Sequence, residues 1–395
     1  MKKLIIVLIP LFLLTGCWNY RELNQMAIVS AIAVEKEGEY FKMTAQIMNA
    51  KKTDTQNATA AGGSSSPVTV LIAKGKTMHE ALRNMVLISP RKLYIGHTEL
   101  FVIDEKVAYN GIMDIVDFMI RDPESRKQFQ VVVSKEDSAS DILTVLTPLE
   151  ALPTQDILST LKVAAEHKGI ITEISYDELL SYIYDQGIEN VLPVISVSGS
   201  VSSGQETTNT QKSVPKSNIQ LDGLSIFKGD RMLGFLSKDD SLGFNLIRNN
   251  ITYDVISYKC DQNNYASMEI VRINSSFKVE IKNNKPYVKI KTTGTGVLSE
   301  MNCKMDITTE EARKEIKKQI DNKIKELMAN SIKHVQQQYD SDIFGFGNYL
   351  YHNNYSYWKE NKNNWDSLFA NLDYEINVDL KLTKKGSILD SAKEG

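Results

Sequence analysis

Cysteine and histidine are scarce in this 395-residue chain, which narrows the chemistry that it can perform. Its three cysteines, at positions 17, 260 and 303, form no Cys-x-x-Cys pair of the kind found in redox and zinc sites. The five histidines are not at metal-ligand spacing. His79-Glu80 opens like a metalloprotease motif, but position 83 is Arg and the second histidine is missing. We therefore predict no metal site and no cofactor.

Catalytic loops are also missing from the sequence. There is no phosphate-binding Walker loop, no Gly-x-Gly-x-x-Gly after a strand and no Gly-x-Ser-x-Gly nucleophile elbow. Carboxylates abound, but any chain with 49 of them contains pairs, and sequence does not show which ones converge. We predict that the protein is not an enzyme and has no catalytic residues.

Charge of one sign is not in excess. The 46 basic residues nearly balance the 49 acidic ones, giving a formal net charge of −3. Nucleic-acid binding calls for a basic stripe, and no long Lys/Arg cluster occurs. We predict no nucleic-acid partner.

Long apolar runs are absent except near the beginning of the chain. Leu4 to Leu14 is too short for a spanning helix, which needs about 20 apolar residues, and it contains Pro10. Behind Lys2 and Lys3, this run predicts a signal peptide over residues 1–16. Leu14-Thr-Gly-Cys17 then matches the bacterial lipobox, an aliphatic residue and two small residues before cysteine. Cys17 is therefore predicted to be lipidated as the first residue of a mature lipoprotein.

The other two cysteines, Cys260 and Cys303, leave two alternatives open. In an exported protein they could form a disulfide, but they could equally be two separate thiols, because sequence does not show whether their Cα atoms lie close enough.

The pattern of elements predicts an α+β protein of three mixed domains, with β-sheets flanked by helices. Residues 17–197 have the order β-β-α-β-α-β-α-α and form the predicted N-terminal domain. The small polar residues of 198–217 predict a flexible linker. A small middle domain is predicted over 218–262 and a C-terminal domain over 263–395.

A long amphipathic helix is the main feature of the predicted C-terminal domain. It spans about Thr309–Gln338, with a capping sequence Thr308-Thr-Glu-Glu311 at its start and an apolar stripe of isoleucines and leucine. Such a helix could lie on a membrane, but packing against a sheet is the interpretation that we favour.

Several segments together resemble one family. These are Gly16-Cys-Trp-Asn-Tyr-Arg-Glu-Leu23, Ser89-Pro-Arg-Lys-Leu-Tyr-Ile-Gly-His97, Phe118-Met-Ile-Arg-Asp-Pro-Glu-Ser-Arg126, Leu146-Thr-Pro-Leu-Glu150, and Asp342-Ile-Phe-Gly-Phe-Gly347 followed by Trp358 and Trp365. In this order they resemble spore germination lipoproteins of the Ger(x)C type, the C subunits of nutrient germinant receptors. The resemblance covers nearly the whole chain and fades at 53–67 and 199–217.

The resemblance implies a non-catalytic protein that is anchored through Cys17 on the outer face of the spore inner membrane. It also implies two integral-membrane partners, the A and B subunits, and a response to small nutrients. A substrate-binding lipoprotein of a nutrient importer is the alternative, although such proteins usually have two similar lobes and the halves here differ.

Six charged or polar residues in two of these motifs are candidates for docking the partners: Arg91, His97, Arg121, Asp122, Glu124 and Arg126. Opposite charges crowd around Pro123 after a predicted helix, where they form either a local ion-pair cluster or a docking surface, since fixed charge gives specificity. Arg91, Lys92 and His97 could line a polar cleft. The alternative for His97 is a structural residue inside a strand.

Overall fold

A computed structural model describes residues 25–49, 66–303, 307 and 309–383 of the chain. Within these residues it contains two mixed β-sheets with helices packed on them, which confirms the α+β class. The predicted signal peptide and Cys17 lie outside the described residues. Among the described helices, none is both long and apolar enough to cross a membrane.

Nine strands make up the first sheet and four the second. In chain order they are β1 Met26–Glu37, β2 Tyr40–Met48, β3 Val68–Gly75, β4 Lys92–Tyr94, β5 Leu100–Asp104, β6 Gln130–Ser134, β7 Val191–Gly199, β8 Ser217–Lys228, β9 Arg231–Phe235, β10 Asp254–Lys259, β11 Tyr265–Lys282, β12 Lys285–Met301 and β13 Asp373–Leu382. The first sheet has the order β3-β2-β1-β5-β6-β7-β8-β9, with β4 also beside β1, and the second has the order β10-β11-β12-β13.

Twelve α-helices connect these strands in the described part of the chain. They are α1 Met78–Asn84, α2 Glu105–Asn110, α3 Met113–Arg121, α4 Ala139–Thr144, α5 Pro153–His167, α6 Tyr176–Tyr184, α7 Val201–Gly204, α8 Lys238–Arg248, α9 Glu310–Gln338, α10 Phe346–Asn353, α11 Tyr355–Asn361 and α12 Trp365–Ala370. The sequence predicts a helix that starts at Thr77, and α1 begins there, with the Thr77 side chain accepting the amide of Glu80 at 3.1 Å.

The centre of the first sheet is buried on both faces. β1 pairs antiparallel with β2 and parallel with β5, and almost every residue in its middle is buried, as its nearly continuous apolar run predicts. One face packs against α1, α3 and α6, and the other against α4 and α5. The turn between β1 and β2 passes through Gly38, whose φ of +60° suits glycine.

The segment 198–217 differs from the flexible linker predicted by composition. It carries α7 and a short 3₁₀ turn, and it holds the buried side chain of Asn209, which donates hydrogen bonds to the carbonyls of Leu146 and Ser217, both at 2.9 Å. Small polar residues can therefore belong to a folded segment when one of them satisfies buried backbone groups.

The predicted middle domain, 218–262, is divided between the two sheets. β8 pairs with β7 and with β9, so β8 and β9 complete the first sheet, whereas β10 begins the second. The helix between them, α8, is buried over most of its length. Strand pairing between segments that are distant in sequence decides this division, and local composition does not reveal it.

The second sheet packs against α9, the long helix predicted from its apolar stripe. Ile316, Ile320, Ile324, Leu327 and Ile332 are all buried, and Thr309 caps the helix by accepting the amide of Ala312 at 3.2 Å. The preferred interpretation, packing against a sheet, is therefore correct.

Cys260 and Cys303 are joined in a disulfide, with Cα atoms 6.2 Å apart, which resolves the alternatives left open by the sequence. The bond connects the residue after β10 with the end of the long β11–β12 hairpin.

Candidate functional site

Five of the six predicted docking residues lie on two loops that contact each other beside the beginnings of β4 and β6, and the sixth, Arg121, is the last residue of α3. Lys92, at the start of β4, forms an ion pair with Glu124. The loops also meet through backbone. A Cβ placed on Gly96 would lie 2.7 Å from the carbonyl oxygen of Glu124, so only glycine allows this approach. The fold thus brings together two motifs that are about thirty residues apart in sequence.

Part of this surface is engaged in local contacts. The guanidinium Nε of Arg121 lies 2.8 Å from Asp117 Oδ1, one helical turn earlier on α3. Asp122 Oδ1 accepts the amide of Glu124 at 2.8 Å and so stabilises the turn around Pro123. Arg121 and Glu124 therefore form ion pairs with residues outside this turn, Asp117 and Lys92, while Asp122 accepts a backbone amide.

The remaining candidates point to solvent. Arg91 and Arg126 are exposed, and within the described residues neither side chain has an ion-pair partner. His97 is exposed as well, with Nε2 3.5 Å from Glu99 Oε1. It does not lie inside a strand, as the sequence suggested, because residues 95–97 form a 3₁₀ turn between β4 and β5.

Asp342 is the most enclosed ionisable group of the motifs. Its carboxylate accepts hydrogen bonds from the amides of Gly345 (2.9 Å), Phe346 (3.2 Å) and Gly347 (2.7 Å), and from the indole Nε1 of Trp365 (3.0 Å). Burial is the main cause that raises its pKa to about 6, against the lowering effect of these four donors. The two glycines of Asp342–Gly347 predict a turn, because glycine permits positive φ, and the chain does turn here, with Gly345 at a φ of +79°.

The same turn joins the two sheets. The carbonyl of Asp342 accepts the amide of Glu189 at 2.9 Å, and Ser341 Oγ donates to the carbonyl of Phe227 at 2.6 Å. Arg248 Nη1, at the end of α8, donates to the carbonyl of Phe344 at 3.0 Å. On the side of the second sheet, the ring of Phe346 packs edge to face against Phe277 of β11, with centroids 5.1 Å apart. We call residues 341–347 the joint. Its role between the sheets was missed by sequence reasoning, which identified only a turn.

The two tryptophans of the C-terminal motif support the joint. They lie on different helices, α11 and α12, and not on one helix face as their spacing of seven suggested. Their rings nevertheless contact each other edge to face, with centroids 5.6 Å apart, and both are buried. A Cβ on Gly347 would lie 2.6 Å from the indole nitrogen of Trp365, so the joint packs directly on this pair.

No arrangement of side chains in the described residues supports metal binding. Groups of three or more His, Cys, Asp or Glu residues that could hold a metal ion do not occur there. What the arrangement offers is a fixed pattern of exposed charge on two touching loops and a rigid connection between two sheets.

Comparison with known proteins places the chain among spore germination proteins. A family described as the spore germination protein N-terminal domain matches residues 19–197, and one described as spore germination B3/GerAC like, C-terminal, matches residues 222–386. Together the two matches leave only short parts of the chain unassigned.

Individual relatives are similar over nearly their whole length. Spore germination protein KC of Bacillus subtilis is 26% identical over 381 residues, covering 95% of this chain and 93% of the relative. Spore germination protein B3 of the same organism is 22% identical and covers 98% of both chains. The crystal structure of the GerBC protein has the same fold, with a TM-score of 0.57 and 18% identity over 89% of this chain and 97% of that one.

Proposed function

Because the chain belongs to the family of spore germination proteins of the GerAC type, we propose that it is a subunit of a receptor that starts germination in response to small nutrients. One observation carries this proposal: both halves of the chain match the family, in order and over nearly the full length. The proposed subunit is non-catalytic and acts together with two integral-membrane subunits, A and B.

The proposed location is the outer face of the spore inner membrane, with a lipid anchor at Cys17. The lipobox Leu14-Thr-Gly-Cys17 supports it, because the thiol is the atom that accepts a diacylglyceryl group. Two or more acyl chains are needed for stable anchoring, and a lipidated N-terminal cysteine provides them.

The proposed docking surface for the A and B subunits consists of Arg91, His97, Arg121, Asp122, Glu124 and Arg126. The contact between the two loops supports it, because Gly96 and Glu124 hold the surrounding charges in one fixed pattern. Exposed charges of this kind contribute mainly specificity and association rate. Arg91 and Arg126, which have no ion-pair partner among the described residues, are the pair most available to a partner.

The joint suits a protein that passes on a signal without performing chemistry. A contact that displaces one sheet would also displace the other, because the joint bonds to β8 of the first sheet through Ser341 and packs on β11 of the second through Phe346.

A pull-down from spore inner membrane tests the proposal. The chain should co-purify with two multi-spanning proteins, and spores that lack it should lose the response to one set of nutrients while a non-nutrient trigger still works. Recovery of an ATPase and a permease would instead indicate a substrate-binding lipoprotein of an importer. Unchanged nutrient response in spores that lack all redundant receptors would contradict the receptor proposal.

Two variants separate the anchor from the docking surface. Cys17→Ala should abolish incorporation of labelled palmitate. Combined Arg91→Glu and Arg126→Glu should leave the palmitate in place and reduce recovery of the partners. Lys333→Glu, an exposed charge reversal on α9, is the matched control and should recover the partners as the wild type does.

A further inference from the structure

Only a short stretch of sequence separates the proposed lipid anchor from the beginning of β1. Cys17 precedes Met26, the first residue of β1, by nine positions. A fully extended chain covers at most about 3.5 Å per residue, so Cys17 lies within roughly 30 Å of this end of the first sheet. We call this end, where β1 begins, the anchor end.

Leu149 and Leu87 are the two most exposed large apolar side chains among the described residues, followed by Val214 at 78%. Leu149 is 89% exposed and Leu87 is 84% exposed, and no other large apolar side chain in the described ranges is as exposed as these two. Val86 and Ile88, on either side of Leu87, are also exposed, at 47% and 54%. Moving apolar side chains out of water lowers the free energy, so a contact that buries these residues is favourable.

Leu87 lies beside the anchor end on one face of the sheet. Lys92, the first residue of β4, pairs with Met26, and Ile88 is only four positions before Lys92. Met85, just ahead of the exposed segment, is buried in the core on the face that packs α1. The exposed segment therefore lies at the edge of this core, next to the first residue of β1.

Leu149 lies beside the same end on the opposite face. The loop that carries it leads into α5, where Thr154 Oγ1 donates to Gln46 Oε1 at 2.5 Å and lies 3.1 Å from Ser30 Oγ of β1. Leu149 and Pro67 also line the same cavity of about 350 Å³, and Pro67 directly precedes β3, which begins at this end.

We propose that the anchor end rests on the lipid bilayer and that Leu87 and Leu149 insert into it from the two faces of the sheet. The proposal rests on the proposed function, in that it takes Cys17 as the anchor. Leu87 and Leu149 would add a second attachment beside the lipid and would set how the sheet stands on the membrane.

The test places fluorescent probes on the tethered protein. The chain from residue 17 onward, with Cys17→Ser and an N-terminal hexahistidine, binds to phosphatidylethanolamine–phosphatidylglycerol vesicles that contain a nickel-chelating lipid. Nitrobenzoxadiazole is attached at Leu87→Cys or Leu149→Cys. The matched control is Tyr40→Cys, because Tyr40 is 46% exposed and lies at the opposite end of β1, where it pairs with Glu37.

On vesicles, the probes at 87 and 149 should shift their emission to the blue and be quenched by nitroxide-labelled lipid, while the probe at 40 should do neither. Water-like emission at 87 and 149 overturns the proposal. So does a blue shift that occurs only when A and B subunits are present, since that indicates a protein contact. The tether is artificial here, so failure of palmitate incorporation at Cys17 counts against the proposed anchor and leaves this readout unaffected.

Discussion

The carboxylate of Asp342 and the indole of Trp365 are joined by a 3.0 Å hydrogen bond inside the protein, although the two residues are 23 positions apart. The bond orients the carboxylate toward three backbone amides of the turn that connects the sheets. A substitution that removes this carboxylate leaves its four N–H donors without an acceptor, and each unpaired buried donor destabilises the folded state.

Asp342→Asn should therefore destabilise the protein. Oδ1 accepts from Gly345 and Phe346, and Oδ2 from Gly347 and Trp365, so the amide NH₂ of asparagine would face two N–H donors in either orientation. We expect the free energy of unfolding at pH 7 to fall by roughly 1–3 kcal/mol in urea titrations. Asp366→Asn, at an exposed ion pair with Lys228, should change it by less than about 0.5 kcal/mol. If Asp342→Asn and Asp366→Asn lowered the free energy of unfolding equally, the hydrogen bonds of Asp342 would not be what stabilises the joint.

Stability should also depend on pH through two buried aspartates. Burial raises the pKa of both Asp342 and Asp254 to about 6, from an ordinary value of 3.8. Between these values the folded protein holds protons that the unfolded chain has released. The contribution to stability is therefore fully present below about pH 4 and is lost as the pH rises through about 6.

Asp254→Asn isolates one of these contributions. Its Oδ1 accepts the amide of Val255 at 2.7 Å and lies 3.4 Å from Lys168 Nζ, while Oδ2 has no hydrogen-bond partner among the described residues. The variant should lose less stability than the wild type between pH 4.5 and pH 7, measured by urea unfolding at each pH. If the variant and the wild type lost the same stability between pH 4.5 and pH 7, Asp254 would be ionised throughout this range.

Removing the disulfide should weaken the second sheet. Cys260 and Cys303 close a loop of 43 residues, for which chain entropy predicts a loss of about 4 kcal/mol when the bond is absent. The Cys260→Ser/Cys303→Ser variant should show this loss, and dithiothreitol should reproduce it in the wild type and leave the variant unaffected. Two free thiols in the unreduced protein, detected by mass spectrometry after alkylation, would contradict the pairing.

Gly243→Ala should destabilise the protein even though alanine is the better helix former. Gly243 lies in α8 where it crosses α9, and an added Cβ would lie 2.6 Å from Ser331 Cβ and even closer to the carbonyl oxygen of Leu327. Separating the helices should cost more than the roughly 1 kcal/mol that alanine gains in helix propensity. Thermal and urea unfolding measure the net change in stability. A more stable variant would show that a methyl group fits between the two helices without separating them.

The sequence predicts the individual helices and strands of this protein better than it predicts which strands pair with each other. Thr77 and Thr309 can be recognised as helix caps in the sequence, because each side chain bonds to a backbone amide only three residues later. The apolar stripe of α9 likewise identifies its buried face. The assignment of β8 and β9 to the first sheet depends on pairing with β7 across the 200–216 segment, which carries no local signal.

The candidate site divides in the same way. The motifs containing Arg91 and Arg126 were visible in the sequence, but the contact between Gly96 and Glu124 that unites them depends on the fold. Asp342 before two glycines predicted a turn. Its bond to Trp365 was not predictable, because nothing near either residue indicates that α12 returns to this position.

The parallel pairing of β12 with β13 has a consequence for how the chain is assembled. β13 pairs along its full length with β12, from Asp373 opposite Tyr287 to Leu382 opposite Gly296, so the second sheet stays incomplete until Leu382 has been synthesised. Before then β12 is a long open edge, the kind of strand that recruits other chains, whereas the finished edge carries the charges of Asp373, Glu375, Asp379 and Lys381. A chain that stops after α12 would keep every helix described here and still be prone to aggregate.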